Sequence, residues 1–267
     1  MESLIASAIG FRIDLPDKER KAMFRQAQAI RLAVEKGTDV PISGAAAALP
    51  AIIRLIPVSA AARALWDTRR KEVEAAMAQL AEGLSIYPWA KAVRGLGALG
   101  LAILVGEAGI PIGDYRTVSG LWSRLGLGVH NGVRQKGETN SAKLARPDGS
   151  PMLRYNPARR AEVWAICSDS LFRAQWRGAK DEDGKNPTVS GKPAVVEAHP
   201  IGPYGEIYGR RRAQTAARVD ATADLPATDP AKWTAGRAAN DARRIMTKAL
   251  ILDMWVEWRR LETIRLA

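Results

Sequence analysis

Three glycines in the stretch VRGLGALGLAILVGEAG, at Gly95, Gly97 and Gly100, spell G-x-G-x-x-G. Glycines at this spacing let backbone N–H groups approach phosphate oxygens, either in a dinucleotide loop or in a hairpin that holds a nucleic-acid backbone. Other residues equipped for bond chemistry are few. Cys167 is the one cysteine, which excludes an intramolecular disulfide and any multi-cysteine zinc site. His130 and His199 are the only histidines, and neither has a ligand-like neighbour. No metal site, no cofactor and no catalytic residue is expected.

A dinucleotide fingerprint needs a buried strand ahead of its glycines, because they turn that strand into the helix that holds the pyrophosphate. Here they follow SIYPWAKAV, which has a proline, a lysine and no β-branched run. The order is instead helix, glycines, helix, and this suits a helix-hairpin-helix. In that reading Gly95 and Gly97 supply backbone geometry closed to other residues. Leu96 plugs into the core, Arg94 adds charge beside the turn, and the N-terminus of the second helix faces phosphate. The same residues also fit a packing junction in which Gly100 and Gly106 let helices approach closely. Both readings stand on the local sequence.

The charge favours an anionic partner. The 267 residues carry 40 Lys and Arg against 28 Asp and Glu, a net +12. Fourteen basic and six acidic residues fall between Lys91 and Lys180, so the positive field centres on the middle third. Duplex DNA is the first expectation and structured RNA the second. The apolar run from Leu99 to Val105 stops at Glu107, well short of the ~20 residues that span a bilayer. The N-terminus has no basic segment before its apolar residues, so no secretory signal is expected. A cytoplasmic protein without membrane contact follows as the expectation, with homo-oligomer contacts through its tryptophans left open.

The elements that must position the glycines read as mostly α. Pro16 fits the first turn of an amphipathic helix from Asp17 to Glu35, stopped at Gly37. PISGAAAALPAIIRLIP, broken by three prolines, reads as short helical turns. Ser59 then fits the N-cap of a long helix with the apolar stripe Leu65, Trp66, Val73, Met77 and Leu80. A third helix has Pro88 in its first turn, and Asp114–Leu125 reads as another, with Trp122 in the core. Asn156-Pro157 opens a helix with Val163, Trp164, Cys167 and Leu171 inward and Arg159, Arg160, Arg173 and Arg177 outward. Gly178 to Pro230 is polar and rich in Pro, Gly and Asp, so a long loop insert is expected. A last helix from Asn240 to Ile264 carries the stripe Ile245, Leu252, Trp255 and Trp258. The expected organisation is a helical N-terminal region (1–86), a helix-hairpin-helix and basic region (87–178), the insert (179–229) and a C-terminal helix (230–267).

Past the glycines the sequence resembles a known family. VRGLGALGLAILVGEAG is similar to the hairpin opening the C-terminal domain of the one-ten/one-sixteen/nine-hundred-two type of insertion-sequence transposases, with Glu107-Ala108-Gly109 matching an acidic-apolar-Gly end. The likeness continues through YRTVSGLWSRLGLGV, GVRQKG, YNPARRAEVWAICSDSL, PYGEIYGRRR and ANDARRIMTKALILDMW. It covers Pro88 to the C-terminus apart from 178–201, and it rests on the order of loose motifs. The resemblance implies a DNA-binding domain of a mobile element or prophage.

Two departures argue against transposition chemistry. Family members begin with a RuvC-like nuclease sheet carrying four acidic metal ligands, whereas the first ninety residues here read as helices. IGFRIDL, with Asp14, is only a faint echo of that sheet's first strand. The family's nucleophilic serine would fall in VHNGVRQKG, where Asn131 stands, and an amide cannot form the covalent phosphoester link. Ser141 or Ser119 would substitute only if the alignment slipped. A non-catalytic, sequence-tolerant DNA binder is expected, gripping phosphate through Arg94, Gly95, Leu96, Gly97 and Gly100. Arg134, Lys136, Arg154, Arg159 and Arg160 would form a second contact. The alternatives are an active transposase or recombinase subunit that needs a separate catalytic domain or partner, and a structural or adaptor protein that uses the hairpin for packing.

Overall fold

The computed structural model describes residues 1–39, 49–130, 133–135, 155–187, 193–226, 228–229 and 231–266. Over these residues the protein is mostly helical, and it divides into two compact units, Met1–Glu74 and Ala75–Ala267. The expected segments 87–178, 179–229 and 230–267 all lie within the second unit.

The first unit packs α1 (Glu2–Ala8) on α2 (Asp17–Lys36), with the first half of α3 (Leu49–Glu82) completing its core. α2 stops as its sequence requires, at Gly37 with φ +67°. Pro16 sits one position earlier than expected, as the N-cap. Arg31 ties the helices together, donating to Glu2 at 2.9 Å and to Glu35 at 2.7 Å. IGFRIDL forms no strand. Asp14 is exposed and accepts a hydrogen bond from Arg12 at 2.9 Å.

α3 corrects two expectations. It runs unbroken through Pro57 and past Ser59, which is therefore no N-cap. Leu49, Ile52, Ile53 and Ile56, spaced i, i+3, i+4, i+7, pack into or against the first core, and that contact stabilises a helix that contains Pro50 and Pro57. Pro41, the third of the expected breaks, lies outside the described residues. The expected stripe is not a core face: Leu65, Trp66, Val73 and Leu80 are exposed. Among the described residues α3 is the one helix long and apolar enough, by length and composition, to cross a membrane, and little of its apolar window is buried.

The second unit begins with α4 (Tyr87–Ala92) and α5 (Gly97–Ala108), then a 3-10 turn (Ile112–Asp114) and α6 (Val118–Arg124). Thus the helix expected over Asp114–Leu125 is shorter, and Thr117 caps it. Trp122 is half-buried, its indole N–H donating to Lys248 O at 3.2 Å. Strands β1 (Val129–His130) and β2 (Val133–Arg134) pair antiparallel. Asn156 caps α7 (Pro157–Val163), which continues through π-helical turns (Trp164–Ser170) into α8 (Leu171–Gln175). Val163, Cys167 and Leu171 face the core as expected. Two-residue strands β3 (Trp176–Arg177) and β4 (His199–Pro200) then pair antiparallel.

The supposed loop insert contains a helix. α9 (Pro203–Ala221) starts with proline in its first turn and buries Tyr204, Tyr208 and Thr215, one face hidden in a polar composition. It packs along α10 (Ala235–Leu266). The buried apolar positions of α10 are Ala238, Ala242, Met246, Leu250, Ile251 and Met254, with Asp241 and Thr247 buried among them. The expected stripe lies beside that face: Ile245, Trp255 and Trp258 are half-buried and Leu252 is exposed.

Candidate nucleic-acid interface

The turn between α4 and α5 is built from its glycines and one leucine. The Leu96 N–H donates to Val93 O at 3.1 Å, closing a tight turn, and the Leu96 side chain is buried in the core. Gly95 has φ +97° and Gly97 φ +64°, conformations that a Cβ disfavours. Their surroundings differ. A Cβ on Gly95 would lie 2.5 Å from Ala174 Cβ and 3.2 Å from Ser170 O, so this residue packs on α8 and the turn before it. Gly100 is buried, and a Cβ there would lie 2.9 Å from Ile166 Cγ2. Gly97 is exposed, with nothing within 4 Å of where its Cβ would stand.

Five expected contact residues therefore separate into two groups. Leu96 and Gly100 are buried and cannot touch an outside ligand, and the Cα of Gly95 is closed off by α8. These three shape the turn. Arg94 and Gly97 reach solvent. α5, with Leu96 at its N-cap position, begins with no side-chain cap, so among the described residues no cap takes up the N–H groups of its first turn. Arg94 and the nearby Lys91 are exposed and have no ion-pair partner among the described residues. The far end of α5 is closed: Tyr115 donates its hydroxyl to Ala108 O at 2.6 Å, and Arg124 Nε donates to Glu107 O at 3.3 Å.

Gln175, which sequence reasoning missed, holds the turn from behind. Its side-chain Nε2 donates to Arg94 O at 2.8 Å, and its own carbonyl accepts from the Ile201 N–H at 2.8 Å. Gly202 and Gly205 press against it, each too close to admit a Cβ. The α4–α5 turn, the end of α8 and the start of α9 thus meet at one buried glutamine. Arg177 lies two residues further on, and Arg210 about two turns into α9; both are exposed. The only sequence signal for this meeting point is the glycine spacing in PYGEIYGRRR, which puts Gly205 and Gly209 on one helical face.

Two of the five residues of the expected second contact, Arg159 and Arg160, are engaged within the protein. Arg159 is mostly buried and donates to Glu107 at 2.9 Å, tying α7 to the end of α5. Arg160 is half-buried and lies 4.8 Å over the Trp164 ring. Both are engaged because each has a protein group of complementary chemistry beside it, which a helical-wheel reading cannot see. Arg134 lies on β2; its side chain, together with Lys136, Arg154, Asn131 and Ser141, falls outside the described residues. Ser119 is exposed on α6. Cys167 is fully buried, and that burial pushes its thiol pKa far up, so it is no nucleophile. Among the described residues no group of three or more His, Cys, Asp or Glu could hold a metal ion.

No protein-family model, no curated protein and no solved structure significantly matches the chain.

Proposed function

We propose that this protein is a sequence-tolerant duplex-DNA-binding module that grips phosphate with the α4–α5 turn used as a helix-hairpin-helix. It would act as a DNA-binding part of a mobile element or prophage, without strand-transfer chemistry of its own. One observation carries the reading: the turn presents Gly97, the uncapped N-terminus of α5 and Arg94 to solvent while Leu96, Gly95 and Gln175 brace it from inside. Backbone N–H groups so placed, with a guanidinium alongside, match phosphate oxygens and carry no base information. The +12 charge and the resemblance of the turn to the transposase hairpin support the same reading.

The grip is electrostatic, so affinity for random duplex is expected to fall about a hundredfold between roughly 50 and 200 mM salt, the loss that four or so phosphate contacts produce. Arg94→Ala should weaken binding alike for all sequences and reduce the salt slope by about one. Arg159→Ala should instead loosen the α5–α7 tie and leave the slope unchanged. Salt-insensitive binding, or a folded Arg94→Ala protein with unaltered affinity, would remove the proposal. Preference for structured RNA over duplex in the same titrations would change the substrate assigned. With Mg²⁺ the protein is expected neither to nick nor to join plasmid DNA, as seen on agarose gels. Cleavage abolished by Ser141→Ala or Ser119→Ala would overturn that expectation.

A further inference from the structure

We infer that the groove between the β3–β4 ladder and α9 takes an unpaired nucleobase of the bound DNA. This rests on the DNA-binding reading above and extends it to the form of DNA preferred. Trp176 and Pro200 are direct cross-strand partners on β3 and β4 and make one wall. Glu206, Gly209 and Arg210, at i, i+3 and i+4 on α9, make the other. The space between them is about 520 Å³, within the ~300–1,000 Å³ of small-molecule sites.

Trp176 is held as a rigid platform. Its ring packs edge-on against Tyr208 at 4.9 Å, and a Cβ on Gly209 would lie 2.9 Å from its Cζ3, so only glycine there lets the indole lie against the helix. The half-buried ring still lines the groove and offers surface for stacking. The charged pair selects the occupant. Glu206 accepts hydrogen bonds from exocyclic amino and ring N–H groups, while Arg210 donates to keto and ring nitrogen acceptors. A bare phosphate would be repelled by Glu206, and an apolar ligand would leave both ions unused. A nucleobase carries a π-face, donors and acceptors together. Trp176 follows Gln175, whose amide holds the Arg94 carbonyl, so one short segment carries both the brace of the proposed grip and the ring of the groove.

The test uses the full chain and three DNA probes: a blunt duplex, the same duplex with a short single-stranded tail, and that duplex with an abasic tail of equal phosphate number. The base-bearing tail is expected to bind about tenfold tighter than the abasic one, the effect of stacking one base on an aromatic ring. Trp176→Ala should erase that advantage and leave blunt-duplex affinity unchanged, and Trp176→Phe should keep most of it. Arg210→Ala, at an exposed position, should reduce it without loss of fold. Equal binding of the two tails by the wild-type protein overturns the groove, and so does a folded Trp176→Ala protein that keeps the advantage. The wild-type comparison decides even if Trp176→Ala fails to fold. Binding of all three probes with no base dependence would sink the groove alone. No binding to any of them at low salt would sink the DNA reading beneath it as well.

Discussion

Gly95→Ala is expected to destabilise the second unit by about 3 kcal/mol or more, the sum of two separate penalties. At φ +97° an L-residue pays backbone strain of ~1–3 kcal/mol. The added Cβ would also stand 2.5 Å from Ala174 Cβ, 3.2 Å from Ser170 O and 3.3 Å from Leu171 Cα. Two of those neighbours are backbone atoms of a helix and cannot move aside singly, and overpacking of this kind adds ~1–3 kcal/mol. Gly97→Ala is the matched control. Its φ of +64° lies in the left-handed well and its Cβ would meet nothing within 4 Å, so only strain of about 1–2 kcal/mol is expected. Urea unfolding of both variants measures the difference. Equal midpoints would mean that Gly95 is not packed on α8 as described. In DNA titrations the order should reverse once stability is accounted for: folded Gly97→Ala should bind more weakly, because its methyl group stands where phosphate would approach.

Asp241→Ala should cost about 3–5 kcal/mol, because it breaks a buried ion cluster and leaves two cations facing each other. The Asp241 side chain is wholly buried between α9 and α10, accepting from Arg211 Nε at 2.7 Å and from Arg244 Nη2 at 3.0 Å. Burial alone would raise its pKa, but the hydrogen bonds and charges of Arg244 and Arg211 outweigh that and hold it below the ordinary carboxylate range. The sign of the pH dependence follows. A depressed folded-state pKa gives stability that is complete above the unfolded value, about pH 3.9, and is lost as pH falls from there through the folded value. Denaturant melts of the wild type should therefore weaken below about pH 4, and Asp241→Asn, less stable at neutral pH, should show a flatter acid limb. An Asp241→Asn variant with the full wild-type acid dependence would assign that dependence to other carboxylates.

Local rules made several features legible. Gly37 ends α2 in a left-handed residue, Asn156-Pro157 opens α7, Pro88 starts α4, and Leu96 enters the core between two positive-φ glycines. Each depends on a few adjacent residues, so the sequence contains the whole cause. The failures have a common origin. α3 passes through prolines because Leu49, Ile53 and Ile56 find a partner surface on α1 and α2, and α9 forms in a polar segment because Tyr204 and Tyr208 do the same on the second core. Tertiary burial supplied the stabilisation that local propensity lacked.

The same division separates the two groups of candidate contacts. That Gly95, Gly97 and Gly100 shape a helix–turn–helix junction, and that the chain carries excess positive charge around them, are properties of the sequence by itself. Which glycine faces outward was decided by α8 and the π-helical turn before it, whose Ala174 and Ser170 lie seventy-five or more residues along the chain from the turn they cover. Which arginines remain available was decided likewise: Glu107 engages the Arg159 guanidinium across fifty-two positions, whereas Gln175, eighty-one positions away, takes only the backbone carbonyl of Arg94 and leaves its side chain exposed. The turn geometry at these glycines is set by neighbours in sequence, whereas the exposure and pairing of a side chain are set by whatever folding brings against it. Spacing along one helix therefore could not distinguish an arginine that meets solvent from one already paired inside the protein.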